Sequence, residues 1–391
     1  MKYKNMVENK YLKFTFRFSI VAWLFISFNG FAQNKVEFDG QISAIGSFAP
    51  DNEIDVFLGV RYIPELNYQV PLDSAQTKSF DFEASVNIAG SIFSNSFKTN
   101  TTDGDIQPYR IWARYTNKQF EVRVGLQKID FGAAAIIRPL QWFNQIDPRD
   151  PLQLTNGVYG ILGRYYFLNN ANIWLWTLYG NEKTRGFDFV ETNKKIPEFG
   201  GRIQYPTSKG EIALSYHHRT ASSMALTLMP QYQKIPENRI GIDGKWDIGV
   251  GLWFEGVLVH KTKNLGSLTN QALFNIGTDY TFGIGNGLNI ILEHLLVSFD
   301  EKPLQLENTV NITATTISYP LGFFDNVSSV FTYNWGVQDV TFALNYQHQF
   351  KKIIGYLIAS YTPSNQFGIQ QNDLVNQFAG PAVRAMLVYN H

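Results

Sequence analysis

The 391-residue chain contains no cysteine. Disulfide bridges, thiolate catalysis, cysteine metal sites and the lipid-modified cysteine of lipoproteins are therefore excluded. Charged residues are also scarce, at 17% where soluble domains average about a quarter. Residues 1–32 hold five of the 33 basic and one of the 33 acidic side chains, so the remainder carries a net charge of −4. A nucleic-acid partner is disfavoured, because nucleic-acid binders are usually basic.

The chain also lacks an apolar run long enough to cross a membrane as a helix. The longest run, Phe18–Phe28, falls short of the roughly 20 residues required. It follows a cationic segment and precedes two small residues, Gly30 and Ala32, at positions −3 and −1 of a cut before Gln33. This order predicts a secretory signal peptide over residues 1–32, the alternative being a retained anchor helix. An exported chain of a double-membrane bacterium goes to the periplasm, the outer membrane or the medium.

Aromatic residues are abundant, and the remaining sequence alternates with a period of two. Mean hydropathy is −0.16, and aromatics make up 15% of the chain. Near residues 54–62, Val56, Leu58 and Val60 alternate with polar neighbours such as Asp55 and Arg61. Because successive side chains of a strand point to opposite faces, each such segment has one apolar and one polar side. Lipid outside and water inside a barrel account for the neutral average.

About eighteen segments have this pattern, and each has roughly the length of a tilted membrane-spanning strand. We therefore predict an all-β fold: a transmembrane, antiparallel, up-and-down β-barrel of 16–18 strands over residues 33–391, in the outer membrane. The predicted strands are 36–48, 54–68, 80–92, 106–116, 119–128, 158–168, 171–181, 198–205, 211–220, 237–246, 248–262, 270–282, 287–298, 309–319, 327–334, 338–349, 352–361 and 380–390.

The connections between these segments alternate between short and long. Outer-membrane barrels have short periplasmic turns and longer outer loops, and a soluble sandwich or propeller has no such rule. Most connections follow it; the exceptions are 69–79, which is long on the inner side, and 334–337, which is short on the outer side. The strand at 171–181 is apolar on both faces, so we expect its lumen side to pack against an inserted loop.

The segment Arg123–Gly132 and the long loop at 129–157 carry the most informative motif. The strand is RVGLQKIDFG, and the loop contains IRPLQWF and DPRDP. This combination resembles Gram-negative porin-like and exporter-like barrels, and it is similar to barrels of the Bacteroidota, whose signals often end in Phe-Ala-Gln, as residues 31–33 do here. The resemblance implies a transport barrel whose loop folds inward.

The loop composition agrees with that expectation. Asp-Pro pairs form turns, and a loop this apolar is poorly suited to water. We predict a constriction loop with candidate residues Arg138, Trp142, Asp147, Arg149 and Asp150. The alternative is an outer loop that packs on its neighbours.

Charged residues of the predicted strands should line the lumen, since a lipid-facing charge costs roughly 2–4 kcal/mol at the midplane. Such a lining favours anions, whereas the alternative is a salt-bridge network in a closed lumen. The candidates for the pore lining are Arg61, Arg110, Arg114, Arg123, Arg164, Arg202, Arg219, Arg239, Glu83 and Glu121.

The predicted function is a channel for diffusion or export of small polar or anionic solutes; the alternative is a non-conducting barrel that serves as a structural or assembly partner. No catalytic residue, metal ligand or cofactor is predicted, because His217 and His218 are adjacent and must point to opposite faces of a strand. The expected partners are outer-membrane lipid, the barrel assembly machinery, and a homo-oligomer or envelope protein complex.

Overall fold

The computed structural model describes residues 35–96, 99–144, 146–226, 229–363 and 379–391, and these form a closed antiparallel barrel. Within them no helix has the length and apolarity of a membrane span. The predicted signal peptide lies outside the described residues. The strands are β1 Lys35–Phe48, β2 Val56–Pro71, β3 Ser79–Asn95, β4 Thr99–Thr116, β5 Phe120–Gln127, β6 Val158–Tyr166, β7 Asn172–Leu178, β8 Glu191–Thr192, β9 Glu198–Thr207, β10 Gly210–Ser222, β11 Ile235–Asp247, β12 Gly251–Lys261, β13 Asn270–Phe282, β14 Leu288–Asp300, β15 Thr309–Pro320, β16 Asp325–Asn334, β17 Asp339–Gln349, β18 Ile353–Thr362 and β19 Gly380–Asn390.

Eighteen of these described strands form the wall, and β8 is a two-residue addition beside β10. Each wall strand pairs with its sequence neighbours, β7 pairs with β9, and β1 pairs with both β2 and β19. Closure removes the free sheet edges that a bilayer would leave without hydrogen bonds. The last residue contributes to closure, because the backbones of Gly40 and His391 exchange two hydrogen bonds, of 3.1 and 3.0 Å.

The even number of wall strands places both chain ends at one rim, here called the terminal rim. Its turns are short, as at 117–119, 208–209 and 350–352, whereas the long connections 128–157 and 179–197 lie at the opposite loop rim. The predicted alternation of short turns and long loops is therefore confirmed. The predicted strands 80–92 and 106–116 leave a long outer loop at 93–105, and that prediction is wrong, because β3 and β4 continue almost to each other at Asn95 and Thr99.

The outer face of the wall is apolar, and the inner face is mostly polar. Leu344 and Tyr346 of β17 are exposed on the outside, while Thr341, Asn345 and Gln347 of the same strand share the inner face with Arg384 of β19. This distribution is the belt that a lipid bilayer requires, since the backbone is hydrogen bonded within the sheet and side chains alone meet lipid.

A β-bulge in β4 reverses the facing of its upper half. Ser85 pairs with Arg110 and Val86 with Pro108, so Tyr109 is the extra residue. A bulge shifts the alternation by one position. As a result, the even-numbered arginines of lower β4 and the odd-numbered Asp103 and Asp105 of upper β4 lie on the same inner face.

The hydrophobic core of this barrel lies inside its lumen. Buried residues of the segment 129–143 pack against inner side chains of β6, β7 and β12–β15. The cluster includes Phe131, Trp142 and Phe143 from the loop and Trp176 and Leu295 from the wall. One half of the lumen is therefore filled, which confirms the expectation that strand 171–181 packs against an inserted segment.

Two neighbouring residues of β17 test the orientation of the wall. Leu344 faces outward and is 41% exposed, and Asn345 faces the lumen. We expect Leu344→Arg to lower the free energy of unfolding by about 2–4 kcal/mol in a lipid bilayer, since the charge would face hydrocarbon. Asn345→Arg should lower the free energy of unfolding much less, because its charge would face the lumen. Reversible urea unfolding in lipid vesicles measures both, and equal losses would contradict the assigned faces.

Candidate functional site

The connection between β5 and β6, residues 128–157, crosses the lumen and reaches the opposite wall. Gly132 lies at the turn that begins the crossing, with a backbone φ of 108°. Glycine adopts this conformation without strain. A side chain at position 132 would also collide with the carboxylate of Glu255 on β12. Glycine is therefore required here for both the turn and the close approach.

Two buried carboxylates hold the crossing segment through its backbone. Glu293 of β14 accepts hydrogen bonds from the amides of Ala135, Ile136 and Ile137, at 2.7, 3.2 and 2.6 Å. Glu255 of β12 accepts hydrogen bonds from two further loop amides, those of Ala134 at 2.8 Å and Leu140 at 2.9 Å.

Neighbouring groups complete this anchor. The indole of Trp253 donates to Glu293 at 2.9 Å, and the side-chain amide of Asn275 donates to the carbonyl of Ile137 at 2.7 Å. Both carboxylates have zero solvent exposure. Hydrogen bonds to a charged acceptor are stronger than neutral ones, so several of them on each carboxylate offset much of the cost of burial.

An aromatic cluster secures the other side of the crossing segment. Phe131 stacks on Trp176 of β7 with 5.6 Å between ring centroids, and Phe143 meets the same indole edge-on at 5.4 Å. The Trp176 indole donates to Nδ1 of His217 at 3.1 Å, and Nε2 of His217 lies 3.2 Å from Glu198. His217 is thus a buried support of the loop, while His218 lies on the outside against Phe199.

A second connection also folds inward, which the sequence analysis did not predict. Residues 179–197 place Arg185 and Asp188 inside the barrel, where Arg185 donates to Glu198 at 2.6 Å. Asp188 accepts from Arg219 at 2.8 Å and from Arg239 at 2.5 Å. The available signal was three apolar residues, Phe187, Phe189 and Val190, close together within a largely polar loop.

Three of the predicted pore-lining arginines belong to this buried network. Arg219 also makes a two-point contact with Glu237, at 2.7 and 3.0 Å, and Arg202 makes one with Asp243, at 2.6 and 2.8 Å. Arg202, Arg219 and Arg239 are each at most 4% exposed. Their charges are compensated and hidden from the lumen, so we leave them out of the proposed pore lining.

Another group of predicted residues lies on strands β3–β6, on the side of the barrel where the crossing loop begins and ends. Arg114 pairs with Asp81 at 3.1 Å, and Glu121 lies 3.2 Å from Arg123 and 3.7 Å from Arg164. In each pair the arginine side chain is more exposed than the carboxylate, with 30% against 10% for the first pair. We call Arg114, Arg123 and Arg164 the arginine wall.

Indole rings support the arginine wall. The guanidinium of Arg123 lies 4.6 Å from the ring centre of Trp112, and that of Arg164 lies 3.8 Å from Trp174. A guanidinium above an aromatic face is held in place without losing its charge. Glu83 is half-buried on β3 and accepts from the Ser85 hydroxyl at 3.3 Å.

The two remaining predicted arginines lie higher in the barrel. Arg110 is buried and donates to the carbonyl and hydroxyl of Thr155, at 2.9 and 2.7 Å, so it fastens the returning end of the loop. Arg61 of β2 is half-buried, and its Nε has no hydrogen-bond partner among the described residues.

The predicted constriction residues do not form one group. Trp142 is buried in the aromatic cluster, and Arg138 pairs with Asp130 of the same loop at 2.8 Å. Asp147 and Arg149 form an ion pair of 2.7 Å within the DPRDP turn. That turn, with Asp150, lies between two cavities, one of about 110 Å³ against β15–β17 and one of about 220 Å³ against β1–β4 and β18–β19.

The inner face of β16–β18 is largely neutral. Inner positions of β16–β18 carry hydroxyl and amide side chains, among them Thr332, Asn334, Thr341, Asn345 and Ser360. The part of the lumen left open by the two loops is therefore bounded by the half-buried guanidinium groups of the arginine wall and by the inner face of β16–β18, on which Asp339 carries the one charge among the described residues. Across the described residues, no group of three or more metal-ligating side chains is present.

Substitution of Glu293 tests the anchor. We expect Glu293→Gln to release the crossing segment, because a neutral amide binds backbone N–H groups less strongly than a carboxylate does. Hydrogen exchange at the amides of Ala135–Ile137 should quicken by at least about tenfold, equivalent to roughly 1.4 kcal/mol. Glu83→Gln, a lumen glutamate that is not bonded to the loop, is the matched control. Unchanged exchange in Glu293→Gln would exclude the anchor.

Comparison with known proteins gives structural neighbours only. No family model matches the chain, and no curated protein matches it in sequence. The chain is similar in structure to OccK5 (OpdH) of Pseudomonas aeruginosa, with a TM-score of 0.56 at 13% identity over 93% of this chain and 99% of that one. It is also similar to OccAB4 of Acinetobacter baumannii, with a TM-score of 0.53 at 11% identity over 92% and 98%.

A third neighbour is OmpT of Vibrio cholerae, described as an outer-membrane protein in trimer form, with a TM-score of 0.51 at 9% identity over 92% of this chain and all of that one. At such low identity these matches establish the fold. Together with the apolar outer face and the closed wall, they show that this protein is an outer-membrane β-barrel with the porin fold.

Proposed function

We propose that the protein is a porin-like channel through which small polar solutes diffuse across the outer membrane, with a modest preference for anions. The observation that carries this proposal is that the crossing loop covers the carboxylates of β12 and β14, Glu255 and Glu293, which we call the acidic wall. Glu255 and Glu293 are bonded to loop amides and have no solvent exposure, so they present no negative charge to the lumen. On β3–β6 the pairs Arg114–Asp81, Arg123–Glu121 and Arg164–Glu121 present mainly their arginine ends to the lumen, whereas the exposed Asp103 and Asp105 lie nearer the loop rim.

The arginine wall supplies that cationic surface. Each of its arginine side chains is more exposed than the carboxylate it pairs with, and each lies against an indole or a neighbouring acid. In a narrow lumen with a low-dielectric wall, a line of exposed charges raises the local concentration of counter-ions. Charged side chains that line a pore are also a common source of ion selectivity.

The size of the barrel supports a water-filled path. Barrels of 16–18 strands leave an aqueous channel when their interior is not filled. Here the loops 128–157 and 179–197 occupy the side next to β7–β14. The remaining path is narrow, which restricts the proposed solutes to small ones.

The extent of this filling supports a second candidate, a barrel that does not conduct and serves as a structural or assembly partner. The cavities on both sides of the DPRDP turn hold only about 110 and 220 Å³. A lumen that stays closed in solution would leave the outer surface as the functional part of the molecule. Bilayer conductance separates the two candidates directly.

The finer details of the assignment are proposals as well. We propose that residues 1–32 are a signal peptide, that the assembly machinery inserts the barrel, and that the chain forms a homo-oligomer, as the trimeric Vibrio protein does. A source among the Bacteroidota and the absence of enzymatic activity also stay predictions.

Ion selectivity tests the channel proposal. In a planar bilayer with a potassium chloride gradient, the reversal potential should show that chloride permeates more readily than potassium. The triple variant Arg114→Gln, Arg123→Gln and Arg164→Gln should lower the chloride-to-potassium permeability ratio towards one or below, since it removes the exposed positive charges.

The matched control is Lys118→Gln, which removes a positive charge from an exposed turn at the terminal rim. It should leave the ratio close to that of the unmodified protein. A folded barrel that gives no current would support the non-conducting candidate. Current with an unchanged ratio in the triple variant would show that the arginine wall does not set selectivity.

A further inference from the structure

The larger cavity next to the DPRDP turn combines charges of both signs with an apolar surface. It lies between Asp150–Leu152 of the loop and the inner faces of β1–β4, β18 and β19. Its volume of about 220 Å³ is below the roughly 300 Å³ at which pockets for drug-sized ligands begin, so it suits a small solute.

The positive groups of the cavity come from Arg61 and Arg384. Arg61 is half-buried with an Nε that lacks a hydrogen-bond partner among the described residues. A buried guanidinium donor without a partner is costly, and an anionic ligand group would satisfy it. Arg384 is held by a hydrogen bond from its Nε to the Ser47 hydroxyl, at 3.0 Å.

Asp150 of the loop contributes one negative charge to the cavity, and the other negative groups lie two strands away from Arg61. The bulge at Tyr109 turns Asp103 and Asp105 of β4 inward, and Asp105 pairs across the sheet with Ala89, which pairs with Arg61. Arg61 and Asp105 are therefore in the same row of the wall, about 10 Å apart at two strand spacings. Both aspartates are exposed, so neither is hidden within a salt bridge.

The apolar surface completes the cavity. Ile45, Phe93, Met386 and Leu152 line it together with the charged groups. A simple anion would be attracted by the arginines and repelled by the aspartates. A simple cation would be attracted by the aspartates and repelled by the arginines. A molecule with both charges can satisfy both rows, and an apolar arm can cover the remaining surface.

We propose that this cavity is a binding station for small zwitterions with an apolar arm, that is, solutes of the amino-acid type. The carboxylate is bound by Arg61 and Arg384, and the ammonium group by Asp103 and Asp105. The station rests on the proposed function, because it lies on the path that the channel would offer. It also names a class of solute that the general anion preference leaves open.

Three ligands with one side chain test the proposal: leucine, N-acetyl-leucine and leucinamide, which are zwitterion, anion and cation. Each is added to the unmodified barrel in a planar bilayer, and the dwell time of current blockage is measured. Leucine should dwell about tenfold longer than either relative, the effect of one additional charge-assisted hydrogen bond. In parallel, saturation-transfer NMR measures binding of the same ligands to the folded barrel in lipid nanodiscs.

Two substitutions assign the ends of the ligand. Arg61→Gln should reduce the dwell time of leucine to that of leucinamide in the unmodified barrel. Asp105→Asn should reduce the dwell time of leucine to that of N-acetyl-leucine. The controls Lys118→Gln and Asp247→Asn, which remove exposed charges at the terminal rim, should keep the preference for leucine.

The outcomes separate this proposal from the channel proposal. Conductance without discrimination among the three ligands, or with N-acetyl-leucine preferred, would overturn the zwitterion station and leave the channel standing. Zwitterion-selective binding in nanodiscs without any conductance would support the station and overturn the channel.

Discussion

The inner architecture depends on hydrogen bonds from backbone amides of the crossing loop to two buried carboxylates, which would otherwise have too few partners. Glu255 and Glu293 are fully buried, and a buried charge without partners is prohibitively unstable. The crossing loop supplies five N–H groups and so stabilises both carboxylates, while the carboxylates fix the loop. The aromatic cluster on β7 then has a fixed partner, and the open part of the lumen is left on the side of the arginine wall.

This arrangement divides the charged residues into two populations. On β9–β12 the ions are buried in pairs and triplets, where removal of one partner would leave an uncompensated charge. On β3–β6 the ions are half-exposed, and their arginine ends meet the lumen. The first population gives the filled half a fixed arrangement, and the second gives the open half its electrostatic character.

Much of the wall was predictable from the sequence, because strand alternation and turn length are local properties. The eighteen wall strands follow from period two, and the lumen-facing arginines follow from the cost of charge in lipid. The bulge at Tyr109 was not predictable, because the residue composition of β4 does not reveal it. The bulge nevertheless reverses the facing of Asp103 and Asp105. The sequence also does not reveal that Arg219 is buried in ion pairs whereas Arg123 faces the lumen. The burial of Arg219 depends on the position of Asp188, which belongs to a distant loop.

The central claim is that the loop removes the acidic wall from the lumen and leaves the arginine wall exposed. Anomalous diffraction from crystals soaked in bromide and in rubidium tests it directly. The account predicts bromide peaks beside Arg114, Arg123 or Arg164, and no peak of either ion beside Glu255 or Glu293. Rubidium bound at those two glutamates, with no bromide along the arginine wall, would contradict it.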